Sequence, residues 1–103
     1  MTPPRPVAFL PRFRQAMLSG QKSCTSRTKA IACVGDYFTA FGATFCITGI
    51  LHLTLATVAK DLWDAEGCHS SRDFRTVWAT RHPHRGYVKT QRVFVHFFER
   101  VET

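Results

Sequence analysis

A lysine, a threonine and an arginine lie close together in the segment LSGQKSCTSR, residues 18–27. A neutral lysine amine can take the proton of a nearby hydroxyl, which is how Ser-Lys hydrolases activate their nucleophile. Lys22 and Thr25 supply these two groups. Residues three apart point to opposite faces of a regular strand, so the segment must bend if the two side chains are to meet. On spacing alone, an ordinary solvated polar strand remains an alternative.

Cysteine and histidine residues form no recognisable metal motif. The four cysteines are widely spaced, and no two of them form a C-x-x-C pair. The nearest approach to a ligand cluster is Cys68-His69 with His82 and His84, a spacing that matches no closed tetrahedral pattern. We therefore expect buried free thiols, no metal site and no cofactor.

The chain is basic, with 14 Lys and Arg against 7 Asp and Glu and a formal net charge of +7. Six of the positive charges lie within SRDFRTVWATRHPHRGYVKTQR, residues 71–92. This distribution favours a polyanion or a nucleotide as partner. Charge alone does not separate RNA from a free nucleoside or an acidic protein.

A length of 103 residues with 45% hydrophobic content supports one compact core. We therefore expect a single domain over residues 1–103. The sequence contains no run of eighteen apolar residues, and its start, MTPPRPVAF, lacks the charged-then-apolar order of a secretory signal. These features predict a cytoplasmic protein without a membrane partner.

Three segments have the apolar spacing of helices. The first is predicted over residues 11–19 and ends at Gly20, the second lies in TVAKDLWDAEG, and the third follows Gly67 with Ser70 or Ser71 as its cap. The apolar positions predicted to face inward are Phe13, Met17 and Leu18 in the first helix, Val58, Leu62 and Ala65 in the second, and Phe74, Val77 and Trp78 in the third.

The remaining segments have strand-like composition. QKSCTSR is predicted to be a strand or an extended loop, and the Thr-, Ile-, Val- and Phe-rich region after the Gly35-Asp36 turn predicts two or three strands between residues 37 and 55. RVFVHFFERV predicts a closing strand with two apolar faces. His52 and His96 alternate with apolar neighbours and are interpreted as partly buried. This order of elements predicts a small α+β barrel of about five strands, because closure best buries the strand edges.

The order of motifs resembles the ASCH family. The pattern L-x-G-x-K-x-x-T-x-R in LSGQKSCTSR is followed by VGD, an acidic helix ending in DAEG, a helix with Trp78 and the apolar strand VFVHFFE. The resemblance covers nearly the whole chain. It implies a PUA-like barrel of about five or six strands with two or three flanking helices, since ASCH proteins adopt that fold.

Within this family, the chain is most similar to short bacterial stand-alone members that hydrolyse N4-acetylcytidine to cytidine and acetate. Their functional residues fall here on Lys22, Thr25 and Glu66, with Glu66 in the later helical segment. The resemblance thus implies a modified cytosine nucleoside as substrate and a reaction without a metal or cofactor. Thr25 would attack the acyl carbon, Lys22 would take its proton, and Glu66 would protonate the exocyclic nitrogen or steer water.

Three further residues are candidates for substrate binding. Arg27 can hold the pyrimidine carbonyl or a phosphate, and Phe9 and Phe13 can line the cleft. Each of them is also compatible with an ordinary structural role.

Two other functions remain open. PUA-like barrels often bind RNA, and the basic region 72–92 offers Trp78 and Tyr87 as stacking surfaces. Some ASCH proteins are ribonucleases, and a lysine beside a hydroxyl and an acid could serve attack of a 2′-OH on phosphate. A deacylase acts on a free nucleoside with little salt dependence, whereas an RNA binder or nuclease weakens steeply as salt rises. No protein partner is implied.

Overall fold

The computed structural model describes residues 3–101 of the chain. It contains five strands and three α-helices, so the predicted α+β class is confirmed. A short 3-10 turn over Pro11–Phe13 leads into the first α-helix. The strands are β1 (Arg5–Pro6), β2 (Cys24–Arg27), β3 (Tyr37–Ala40), β4 (Ala43–Thr54) and β5 (Arg92–Arg100), and the helices are α1 (Arg14–Ser19), α2 (Leu55–Asp61) and α3 (Ser71–Arg81).

All five strands belong to one mixed sheet in the order β1-β3-β4-β5-β2. β1 pairs in parallel with β3, and the other neighbours pair antiparallel. The register of β4 against β5 shifts between Ile47 and Gly49, and such an irregularity bends and twists a sheet. The two edge strands are joined by a side chain, because Arg27 in β2 donates to the carbonyl of Ala8, just after β1, at 3.1 Å. No backbone ladder pairs β1 with β2 among the described residues, so this side-chain hydrogen bond bridges the gap between the two edges of the predicted barrel.

The core lies between the curved sheet and the helices. Three phenylalanines from different strands form its centre, since the rings of Phe38, Phe45 and Phe98 lie 5.2 to 5.5 Å apart. Leu55 in α2 and Trp78 in α3 are buried against this layer. The helices thereby cover one side of the sheet and determine from which side a ligand can approach β2.

The ends of the helices follow the predicted signals with one exception. α1 stops at Gly20, which has φ 88°, and the hydroxyl of Ser70 caps α3 by accepting from the amide of Asp73 at 3.0 Å. α2 ends at Asp61, and turns follow up to Gly67. The expectation that Glu66 lies on a helix is therefore wrong, because the chain doubles back in these turns, where Gly67 has φ 84°.

The two strand histidines differ in burial. His96 is fully buried, whereas His52 is exposed and stacks on Phe94 with ring centroids 4.3 Å apart. The expectation of partial burial is wrong for His52, because its side of β4 faces solvent at that point. All four cysteines are free, with Cys24 and Cys68 buried. Cys33 is exposed, so the predicted burial does not extend to every thiol.

No helix within residues 3–101 has both the length and the apolar character needed to cross a membrane.

Two leucines at the junction of β4 and α2 test this packing with the same substitution. Leu55 is 0% exposed and Leu51 is 50% exposed. Leu55→Ala removes buried methyl groups and leaves a cavity, so we expect it to lower the free energy of unfolding by about 2–5 kcal/mol. Leu51→Ala, the control, is expected to change it by less than about 1 kcal/mol. Urea unfolding measures both, and equal effects would contradict the described packing.

Candidate active site

A cleft of about 350 Å³ opens beside β2, where the segment before α1, the turns after α2 and the face of α3 meet. All of the site residues predicted from the sequence line it, namely Lys22, Thr25, Glu66, Arg27, Phe9 and Phe13. Phe74 and Trp78 extend its aromatic wall. The cleft thus joins a polar floor to flat apolar surfaces.

Lys22 and Glu66 form a buried ion pair. Lys22 is 3% exposed and Glu66 is 5% exposed. The Lys22 Nζ donates to the Glu66 carbonyl at 2.7 Å, to the Cys24 carbonyl at 2.9 Å and to Glu66 Oε1 at 3.4 Å. An ammonium carries three N–H donors, so these acceptors use all of them. The ring centroid of Phe13 lies 4.6 Å from Nζ, which adds a cation–π contact.

The second carboxylate oxygen of Glu66 is held by a serine. The Ser26 hydroxyl donates to Glu66 Oε2 at 2.6 Å, a short charge-assisted hydrogen bond. Ser26 is not among the site residues predicted from the sequence. Its partner Glu66 lies 40 positions away in the chain, and no local sequence pattern indicates that contact.

The backbone just before β2 is irregular. The amides of Ser23 and Cys24 both donate to the carbonyl of Ala65, at 2.8 and 3.1 Å. A regular strand ladder does not direct two consecutive amides to one carbonyl. This irregular junction ties the start of β2 to the turns after α2 and brings Lys22 against Glu66.

Thr25 lies on a different wall of the same cleft. Strand alternation turns Thr25 and Arg27 to the side of β2 opposite Ser26. The Arg27 Nε donates to Thr25 Oγ1 at 3.4 Å. Within residues 3–101, no hydrogen bond joins the Lys22 ammonium to the Thr25 hydroxyl. The structure therefore brings Lys22 and Glu66 into contact and leaves Thr25 beside them.

Arg27 is held at the opening between the two sheet edges. Its guanidinium carbon lies 5.0 Å from the ring centroid of Phe9. Burial lowers the pKa of Arg27 from its ordinary value, and the nearby charge of Arg81 lowers it further. Arg27 thus places a partly desolvated cation next to Thr25.

The His96 side chain contacts the backbone of β2 and of the segment that follows it. Its Nε2 lies 3.1 Å from the amide nitrogen of Ile31 and accepts that hydrogen, so this nitrogen carries no proton and the ring is neutral. Its Nδ1 lies 3.4 Å from the carbonyl of Thr25 and can donate to it. Burial lowers the pKa of His96.

The buried thiols at the site are poor nucleophiles. Burial, followed by the charge of Glu66, raises the pKa of Cys24. Burial likewise raises the pKa of Cys68, which lines the cleft, to about 11. Both therefore stay as thiols at neutral pH.

Gly67 tests how tightly the ion pair is enclosed. A Cβ at this position would lie 3.0 Å from Lys22 Cβ and 3.2 Å from Lys22 Cδ. Gly67→Ala combines this clash with the cost of φ 84°, roughly 1–2 kcal/mol for a residue other than glycine. Gly86→Ala, the control, has φ 68° and meets nothing within 4 Å. We expect Gly67→Ala to lower the free energy of unfolding clearly more than Gly86→Ala, and equal losses would show that Lys22 has room to move.

His96 predicts a dependence of stability on pH. Because the folded state lowers its pKa, the unfolded chain binds more protons below the ordinary value of 6.5. The stabilisation is complete above that value and is lost as the pH falls toward the pKa of the folded state. We expect the unfolding free energy of wild type to drop between about pH 7.5 and about pH 5.5, and His96→Gln to reduce that drop. His84→Gln, at an exposed turn, is the control. An unchanged drop in His96→Gln would contradict the assignment.

Solved structures share this fold at low sequence identity. A protein from Enterococcus faecalis V583, described by the family model DUF984, has a TM-score of 0.77 and 17% identity over 98% of this chain and 82% of its own. The hypothetical protein PH0355 has a TM-score of 0.69 and 14% identity over 90% of this chain and 94% of its own. The ASCH domain from Lactobacillus crispatus JV V101 has a TM-score of 0.61 and 14% identity over 84% of this chain and 69% of its own.

No protein-family model matches the sequence, and no curated protein matches it. Structural similarity at such low identity shows a shared fold. The chain shares the fold of that ASCH domain, in agreement with the fold that the motif resemblance implied.

Proposed function

We propose that this chain is an ASCH-family amidohydrolase that removes the acyl group from N4-acetylcytidine and related N4-acylated cytosine nucleosides, without a metal, to give cytidine and a carboxylate. One observation carries the proposal. A buried Lys22–Glu66 pair lies on the floor of a cleft that also presents the hydroxyl of Thr25. These are the three residues on which the motif pattern falls.

The cleft suits a flat heterocycle with polar edges. Its volume of about 350 Å³ falls in the range of small-molecule sites, roughly 300–1,000 Å³. Phe9, Phe13 and Trp78 offer apolar surfaces for the faces of a pyrimidine. Arg27 can donate to the ring carbonyl, while the acylated nitrogen lies toward Glu66.

Proton transfer within the ion pair would prepare the site. Lys22 gives one proton to Glu66 Oε1, 3.4 Å away, which leaves a neutral amine and a neutral carboxylic acid. The low dielectric of a buried site reduces the cost of this exchange, because it removes two charges at once. The amine is then a base for the hydroxyl of Thr25, which lines the same cleft, with a bridging water as the proton relay.

Acylation follows from these protonation states. The Thr25 oxygen attacks the acyl carbon as its proton passes to Lys22, and the resulting ammonium stabilises the oxyanion. When the C–N bond breaks, the carboxylic acid of Glu66 protonates the exocyclic nitrogen, so cytidine leaves and Thr25 carries the acyl group. Water, with its proton taken by Glu66, then attacks the ester. As the bond between the acyl carbon and the Thr25 oxygen breaks, the Lys22 ammonium returns a proton to that oxygen, and the released carboxylic acid loses its proton to solvent.

Turnover of N4-acetylcytidine tests the proposal. The purified, chelator-treated protein is expected to convert it to cytidine, followed by the change in ultraviolet absorbance. Thr25→Val, Glu66→Gln and Lys22→Met each remove one chemical group, and we expect each to lower kcat by about 100-fold or more.

Matched controls separate chemistry from folding. Thr76→Val, Glu99→Gln and Lys60→Met make the same changes at exposed positions outside the cleft, and we expect wild-type rates from them. Thr25→Val is nearly isosteric, so its fold should survive even if Lys22→Met unfolds. A folded wild-type protein without turnover, or a Thr25→Val variant with full turnover, would contradict the proposal.

A further inference from the structure

We propose that the mouth of the cleft, where the exposed residues Lys29 and Arg81 lie, binds a phosphate group. The preferred substrate is then an N4-acylated cytidine nucleotide rather than the nucleoside without phosphate. The identity of the base rests on the function proposed above. The phosphate subsite rests on separate residues and is tested separately below.

The cleft carries an excess of positive charge. Its cationic lining residues are Lys22, Arg27, Lys29 and Arg81, and its one carboxylate among the described residues is Glu66. Glu66 is already engaged by Lys22 and Ser26. Within residues 3–101, the ion pairs within 4.0 Å are Arg12–Asp73 and Lys22–Glu66, so Arg27, Lys29 and Arg81 have no carboxylate partner there. A cleft lined by one sign of charge attracts a ligand of the other sign.

Two of these cations line the cleft from different elements, Arg27 from β2 and Arg81 from the end of α3. Burial lowers the pKa of Arg27, and the charge of Arg81 lowers it further. Like charges held together in a partly buried cleft raise the free energy of the empty site. An anion bound at Arg81 offsets that cost, and a guanidinium group can donate two parallel hydrogen bonds to a phosphate.

Arg81 is presented by a rigid support. The ring of His82 stacks on the buried Trp78 with centroids 4.0 Å apart, and His82 Nδ1 lies 3.0 Å from the carbonyl of Trp78. These contacts fix the last turn of α3, from which Arg81 enters the cleft lining. A subsite on a fixed element loses less entropy when the ligand binds.

The layout of a nucleotide matches this order of groups. The base carries its acylated nitrogen on one edge, and the ribose places the phosphate beyond the opposite side of the base. With the nitrogen at Glu66 on the buried floor, the phosphate extends toward the exposed residues Lys29 and Arg81. The two ends of the substrate thus meet the buried ion pair on the floor and the cations at the mouth of the cleft.

Comparing two substrates tests the inference. We expect kcat/KM for N4-acetylcytidine 5′-monophosphate to exceed that for N4-acetylcytidine by about tenfold or more at low salt, since a charge-assisted hydrogen bond contributes about that factor. Arg81→Gln and Lys29→Gln should each reduce this ratio, and added salt should reduce it in wild type. Arg14→Gln, which removes a charge outside the cleft, is the control and should preserve the ratio.

A binding measurement that needs no chemistry distinguishes this inference from the proposed function. Cytidine 5′-monophosphate should bind more tightly than cytidine by calorimetry, and Arg81→Gln should remove most of the difference. That result without any turnover would support the phosphate subsite and overturn the proposed function. Turnover of the nucleoside with equal binding of both ligands would overturn the subsite and leave the function standing. Preference for an N4-acetylated single-stranded oligoribonucleotide over the mononucleotide would overturn the assignment to a mononucleotide.

Discussion

The buried ion pair between Lys22 and Glu66 is the interaction on which the site depends. Two charges are removed from water, and their residues lie 44 positions apart in the chain. Removing one partner of such a pair costs about 3–5 kcal/mol, because the other charge is left uncompensated. The bend before β2 and the turns after α2 hold the pair in place, and Gly67 leaves room for the lysine stem. The local backbone is therefore organised around one polar contact.

The cleft combines three environments that a single hydrophobic core does not provide. Its floor holds a proton donor and acceptor in contact, so a proton can move without a solvent path. Its aromatic wall, which includes Phe13 and Trp78, excludes water and favours a planar ligand. Its mouth carries Lys29 and Arg81, which have no carboxylate partner within residues 3–101 and so favour an anion.

Local signals in the sequence predicted the elements, and contacts between distant residues determined the details. Gly20 ended the first helix as expected because a left-handed cap is a local property. β1 has two residues and no periodicity, and it exists through its pairing with β3. The sequence predicts a helix at Glu66 because the turns around it keep apolar residues at helical spacing. The site role of Ser26 depends on a partner 40 residues away, and the exposure of His52 depends on which sheet face is covered. Both are tertiary properties that no local pattern contains.

A double-mutant cycle on the ion pair tests the central claim most directly, because it separates the structural role of the pair from its chemical role. Lys22→Met and Glu66→Gln are each expected to lower the free energy of unfolding strongly. The double variant should recover much of that loss, with a coupling of at least about 2 kcal/mol, because no buried charge is left alone. This folded double variant is expected to have lost turnover of N4-acetylcytidine. A folded double variant that retains wild-type turnover would show that the pair has no chemical role and would contradict the central claim.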